Sequence, residues 1–174
     1  MIKITDIPER MAHLPLDSRG YPIPYFTPYI DGAPDFRVSD AKKKVVCRKY
    51  KKCWVCGKRL LANKFWFITG PIGLKNMTVS DEAMHEECAR FSLKVCPHMY
   101  YEKSERRSDQ MTNLAPSPTL AKEKPKVIFL VEADKIYFYD SLHTKFRAKR
   151  GETYHYVDNK LTFLLEVEFK DLDP

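Results

Sequence analysis

No run in this sequence approaches the roughly 18 apolar residues that a membrane span requires. Asp6, Glu9 and Arg10 interrupt the amino-terminal segment before a secretory core can form, so a soluble, cytoplasmic chain is expected. Cysteines are few and odd in number: five, three of them between positions 53 and 88. That grouping argues against a disulfide framework and for metal ligation in a reducing compartment. No internal repeat is visible, which argues against a solenoid. Acidic residues are absent from positions 41 to 80, where eleven Lys or Arg fall. The net charge is +7, so the remainder of the chain stands at −4 by difference. The positive field is therefore concentrated in one stretch.

Within that stretch lies Cys53-Trp54-Val55-Cys56-Gly57, and His85-Glu86-Glu87-Cys88 follows with 28 residues between Cys56 and His85. Two pairs of soft donors, each with two residues between its members, have the spacing of a structural zinc site. Cys53 and Cys56 can reach one ion only across a tight turn, which Gly57 helps to close. His85 and Cys88, at i and i+3, project from one face of a helix. Between the pairs, residues 64–69 (KFWFIT) and 77–79 read as two strands of a hairpin punctuated by Gly70-Pro71-Ile72-Gly73. Ser80 is the expected N-cap of the following helix, with Asp81 and Glu82 in its first turn and Met84, Cys88, Phe91 and Val95 as its apolar stripe. The helix is expected to stop at Cys96-Pro97. Knuckle, hairpin and ligand-bearing helix, in that order, resemble a treble-clef zinc finger.

Four protein donors fill a tetrahedral zinc ion and leave no position for a catalytic water. The H-x-E of nucleotide deaminases matches His85-Glu86-Glu87, but their P-C-x-x-C must follow it, and here the C-x-x-C comes first without a proline. An HNH-type nuclease is the main enzyme alternative. It needs a general-base histidine on the hairpin, and none occurs between Gly57 and Met84. Cys47, Cys96 and His98 are spare donors. Whether they bind metal is open, and a buried apolar role for Cys96 is the plainer reading. His143 and His155 read as ordinary surface or sheet residues.

Residues 41–52 (AKKKVVCRKYKK) suggest a short helix with Val45, Val46 and Tyr50 inward and Lys42, Lys43, Lys44, Arg48, Lys49, Lys51 and Lys52 in water. With Lys58 and Arg59 they form either a solvated surface or an anion-binding face. Tyr50 and Trp54 are placed to stack on bases, although Trp54 equally suits the core. Residues 1–40 hold six prolines, yet Tyr21, Tyr25, Phe26, Tyr29 and Ile30 make them too apolar for a free linker. An extended arm laid on the core is expected, with a proline-rich ligand for a partner's groove as the alternative. Residues 100–125 have the composition of a flexible linker. Beyond it, segments 126–131, 136–139, 153–157 and 161–169 suggest a four-stranded antiparallel meander, with Leu161, Phe163, Leu165, Val167 and Phe169 on one face. Lys145, Arg147, Lys149 and Arg150 fall in an expected loop at 141–150.

Several strings, residues 19–26 (RGYPIPYF), 31–37 (DGAPDFR), 53–57 (CWVCG), 69–71 (TGP), 85–89 (HEECA) and Cys96-Pro97, resemble a family of small zinc-finger proteins of bacteria and bacteriophages. The resemblance implies a zinc-binding core and a phage or mobile-element context, and it brings no activity. The expectation is thus an α+β chain with four parts: an arm at 1–40, a basic zinc module at 41–99, a linker at 100–125 and a sheet at 126–174. Its expected role is non-enzymatic binding of nucleic acid through the basic face, with zinc held by Cys53, Cys56, His85 and Cys88. A protein partner, with the chain acting as inhibitor or adaptor, is the alternative.

Overall fold

The structure is a computed structural model, and it describes residues 6–103 and 124–169. Most of the expected linker, 104–123, lies outside the described residues. A single 3-10 turn at Glu9–Met11 is followed by two short antiparallel strands, β1 (Tyr29–Ile30) and β2 (Ala33–Pro34), joined through Asp31-Gly32. Both turn residues take positive φ, 50° and 79°, as that turn sequence suggests. The approach to β1 touches the cysteine knuckle directly. The Tyr25 amide donates to the Val55 carbonyl at 2.7 Å, and Phe26 stacks on Trp54 with ring centroids 5.0 Å apart. Trp54 is only 2 % exposed, which settles it as a core residue and not a stacking surface.

Helix α1 (Ala41–Tyr50) begins where the Asp40 carboxylate accepts from the Lys42 and Lys43 amides at 2.8 and 3.1 Å. It ends where Lys51 turns left-handed, with φ 48°. Its inward side differs from expectation: Lys44 and Cys47 are buried, whereas Val45 and Tyr50 are exposed. After the knuckle come β3 (Phe65–Thr69), the short helix α2 (Pro71–Lys75) and β4 (Thr78–Val79). These two strands form no hairpin with each other, because Pro71 at the first turn of α2 starts a helix where a tight turn was expected.

The ligand-bearing helix α3 runs Glu86–Val95, followed by α4 (Pro97–Tyr100). It starts later than Ser80. The Trp54 amide donates to the Ala83 carbonyl, and Trp66 and Met84 exchange backbone hydrogen bonds, so residues 83–84 are held extended. His85 is the N-cap, with Glu86 and Glu87 in the first turn. The expected stop at Cys96-Pro97 is observed.

Strand β5 spans Val127–Phe138, β6 Thr144–Val157 and β7 Lys160–Glu168. The main sheet has the order β3-β5-β6-β4, with β7 also paired to β6, all antiparallel. Three expectations change here. The first two expected strands are one strand, continuous through register shifts around Ala133. The expected basic loop is the first half of β6, where Thr144, Phe146 and Ala148 point to the core between Lys145, Arg147 and Lys149. In β7 a register shift between its Phe163 and Leu165 pairings breaks the alternation, so Leu161 and Phe163 fall on one face and Leu165 and Val167 on the other, with Phe163, Leu164 and Leu165 exposed. Strand β3, from the segment between the two ligand pairs, pairs with β5, so one sheet includes strands from before residue 104 and after residue 123. Phe67 stacks on Phe146 in its interior at 5.0 Å. Among the described residues no helix is long and apolar enough to cross a membrane.

Candidate metal centre

Cys53, Cys56, His85 and Cys88 converge, and all four are buried. Their ligand atoms lie within 4.8 Å of one another. The knuckle is closed by its own backbone: the Gly57 amide donates to the Cys53 carbonyl at 2.9 Å, and the Cys53 amide donates to the Lys58 carbonyl at 2.7 Å. Gly57 has φ +71°, and a Cβ there would sit 2.8 Å from the Tyr25 ring. Conformation and space therefore both demand glycine at this position. The Cys53 sulfur accepts from the amides of Cys56 and His85 at 3.5 and 3.4 Å.

His85 is oriented from outside the cluster. Its Nε2 lies 3.0 Å from the Arg59 carbonyl oxygen, which can only accept, so Nε2 carries the proton. The Nδ1 lone pair is thereby directed inward, 3.3 Å from the Cys56 sulfur. Nothing in the sequence marks Arg59 for this role, since its main chain performs it.

The electrostatics favour a cation. Hydrogen bonds from Cys53 and Cys88 draw the Cys56 thiol well below its usual value, while contacts with Cys53 and Cys56 push Cys88 far up. One thiolate among three crowded sulfurs raises the cost of the next unless positive charge balances them. Burial opposes protonation of His85, yet the neighbouring Cys53 and Cys56 outweigh it and raise the imidazole, so positive charge is favoured at Nδ1, where a bound metal ion would take the place of the proton. Three sulfurs and one imidazole nitrogen can hold a metal ion. Cys47, Cys96 and His98 do not join any cluster of donors among the described residues. Burial pushes the Cys47 thiol up to about 12, in keeping with an inert core side chain.

The nine basic residues expected on one wet face divide into three groups. Lys44 and Arg48 are directed inward, onto Glu82. Arg48 Nε is 2.8 Å and Lys44 Nζ 3.7 Å from one carboxylate oxygen, and the Thr144 hydroxyl donates to the other at 3.0 Å. Lys44 also donates to the carbonyls of Ser80 and Leu142, and Arg48 to that of Asp140. Their expected place in water is corrected: Glu82, missed as a partner, holds both. Lys43 donates to the Thr27 carbonyl at 2.7 Å, and both Lys43 and Lys52 lie over the Tyr25 ring. Lys42, Lys49, Lys51, Lys58 and Arg59 remain exposed. The knuckle brings the last three together with Lys52: Lys52 bridges to Arg59, and the Leu60 amide donates to the Lys51 carbonyl at 2.7 Å.

No protein-family model, curated protein or solved structure matches the chain.

Proposed function

We propose that the chain is a zinc-stabilised, non-enzymatic protein that binds nucleic acid through the basic rim of its cysteine knuckle. Zinc is the ion that a buried Cys3His set suits best, and four protein donors give it a structural role. Cys53, Cys56, His85 and Cys88 would hold it, in the manner of a treble-clef-like module with the proline-rich segment laid across the knuckle. The phage or mobile-element setting rests on the motif strings alone.

The observation that carries the binding reading is the clustering of Lys51, Lys52, Lys58 and Arg59 at the mouth of the knuckle, in a stretch free of carboxylates from 41 to 80. Such a rim can displace counterions from phosphates. Lys44 and Arg48 are excluded from it, because they are committed to Glu82. The test is titration of labelled DNA and RNA at several salt concentrations. Affinity should fall with salt, with a log–log slope of about −0.7 to −0.9 per phosphate contact. Reversing Lys51, Lys52, Lys58 and Arg59 to Glu should remove most of it while zinc content is unchanged. Wild-type protein without affinity at low salt would defeat the proposal.

One observation favours a second reading. Phe163, Leu164 and Leu165 are 51, 53 and 46 % exposed on β7, an apolar strip that a protein partner would cover. A pull-down whose captured protein survives nuclease digestion would support that reading over the first.

A further inference from the structure

We infer that the outer face of the β5–β6 hairpin is a stacking platform for single-stranded nucleic acid, centred on Tyr137 and Tyr139. The inference takes its ligand class from the binding reading above but uses a different part of the molecule.

Beyond the register shifts around Ala133, the ladder pairs Lys135 with Arg147 and Tyr137 with Lys145, and the Tyr139 amide donates to the His143 carbonyl at 3.2 Å. Cross-strand partners face the same side of a sheet, and residues two apart do as well. Lys135, Tyr137, Lys145 and Arg147 therefore share one face, and Tyr139, just past the end of β5, is brought to it by Lys145 over its ring. The opposite face carries Ile136, Phe146, Thr144 and Ala148 and belongs to the core, with Phe146 and Thr144 fully buried. The core is thus satisfied from the other side, and Tyr137 and Tyr139 are left 43 and 64 % exposed.

Positive charge surrounds these rings. Lys145 Nζ sits 4.6 Å from the centre of the Tyr139 ring, and Lys135 is exposed at the far end. The nearby acids are already engaged: Asp134 takes both Arg147 contacts at 2.8 and 2.5 Å, and Asp140 accepts from the amides of Leu142 and His143. On the opposite face the hairpin tip abuts α1, since Arg48 donates to the Asp140 carbonyl and covers the Phe138 ring at 5.4 Å, so that side is already occupied.

A ligand complementary to this face is flat, apolar on its faces and anionic along one side. Unpaired bases on a phosphate backbone fit that description. Duplex bases do not, because their faces are already stacked. Alternate strand positions lie about 7 Å apart, a spacing that splayed bases can span.

The experiment compares labelled oligothymidylate, single-stranded RNA and a duplex of equal length at low salt. Four proteins are used: wild type, Tyr137→Leu/Tyr139→Leu, Tyr137→Phe/Tyr139→Phe, and the four-site reversal of the knuckle rim. The Leu pair should weaken single-strand binding by about 5- to 150-fold per ring lost and leave duplex binding unchanged. The Phe pair keeps the aromatic faces and should bind single strands as wild type does. Unchanged zinc content and melting would show that the Leu pair remains folded. Single-strand affinity of the Leu pair equal to wild type would overturn the platform, and if the rim reversal alone abolished binding, the knuckle reading would stand without it. Wild type that binds neither form would overturn both.

Discussion

The Cys53–Cys56–His85–Cys88 cluster and the Lys44–Arg48–Glu82–Thr144 cluster meet along one short extended segment, with Glu82 three residues before His85. Both are buried, and both tie the 82–85 segment to distant chain. They differ in where their positive charge comes from. Three thiols and an imidazole have no Lys or Arg among them and could take a metal ion from solution. Glu82 brings its cations within the fold, from one face of α1. A carboxylate buried with a guanidinium, an ammonium and a hydroxyl has its acceptor sites occupied, so that cluster closes without help. The difference teaches that two polar clusters of similar burial can have opposite dependence on what is added to the buffer.

The largest effect expected from that comparison is metal loss. Structural zinc in such donor sets contributes on the order of 10–16 kcal/mol of apparent binding free energy, comparable to or above the ~5–15 kcal/mol stability of a whole domain. Chelation, or a Cys88→Ser substitution, should abolish cooperative unfolding and release one equivalent of zinc per chain. The measurement is zinc by elemental analysis together with a melting curve. A stripped protein that still melts within a few degrees of the loaded one would show that the salt cluster and sheet suffice alone.

Next comes Glu82→Ala. Removing the acid leaves Lys44 and Arg48 buried without their carboxylate, a change that costs about 3–5 kcal/mol. Zinc stoichiometry should be unchanged, because no ligand is touched. Denaturant unfolding monitored at two temperatures would measure the loss. A loss as small as that of a surface substitution would mean that Lys44 and Arg48 are content with the carbonyls of Ser80, Leu142 and Asp140.

The two clusters also differed in how far they were legible. Each ligand pair is local in sequence, and cysteine and histidine are rare enough for the spacing to stand out. The salt cluster draws Lys44 and Glu82 from 38 positions apart by their numbers, and Thr144 from farther still, and these are common residue types that normally lie in water. Misplacing Glu82 followed from treating Ser80-Asp81-Glu82 as a helix start. The cap chemistry was sound locally, but backbone pairing of Trp54 with Ala83 and of Trp66 with Met84 held that segment extended. In β6 the period-two signal was present in Thr144, Phe146 and Ala148, hidden by the charges of the alternate positions. The β7 register shift was illegible because its neighbours, Phe163, Leu164 and Leu165, are all apolar, so no residue type marks the change of face.

The smallest expected effect contrasts lysines of one helix. Lys44 lies inside, whereas Lys42 and Lys49 are exposed near opposite ends of α1. Lys44→Glu would set a second carboxylate beside Glu82 and should be severely destabilising. The term that Lys42 and Lys49 share is the helix dipole, worth about 0.3–1 kcal/mol at low ionic strength; Lys49 also sets its Nζ 5.3 Å from the centre of the exposed Tyr50 ring. The sign of the dipole term reverses along the helix. Lys42 stands in the first turn, where unpaired amides concentrate positive charge and where no acidic residue is present. Lys42→Glu should therefore raise stability slightly. Lys49 stands in the last turn, beside unpaired carbonyls. Lys49→Glu should lower stability by a similar amount, and added salt should shrink both changes because exposed charges are screened. Urea unfolding of the two single variants at low and high salt measures this. Equal effects of the same sign would show that total charge on the basic stretch, and not position along α1, sets the outcome.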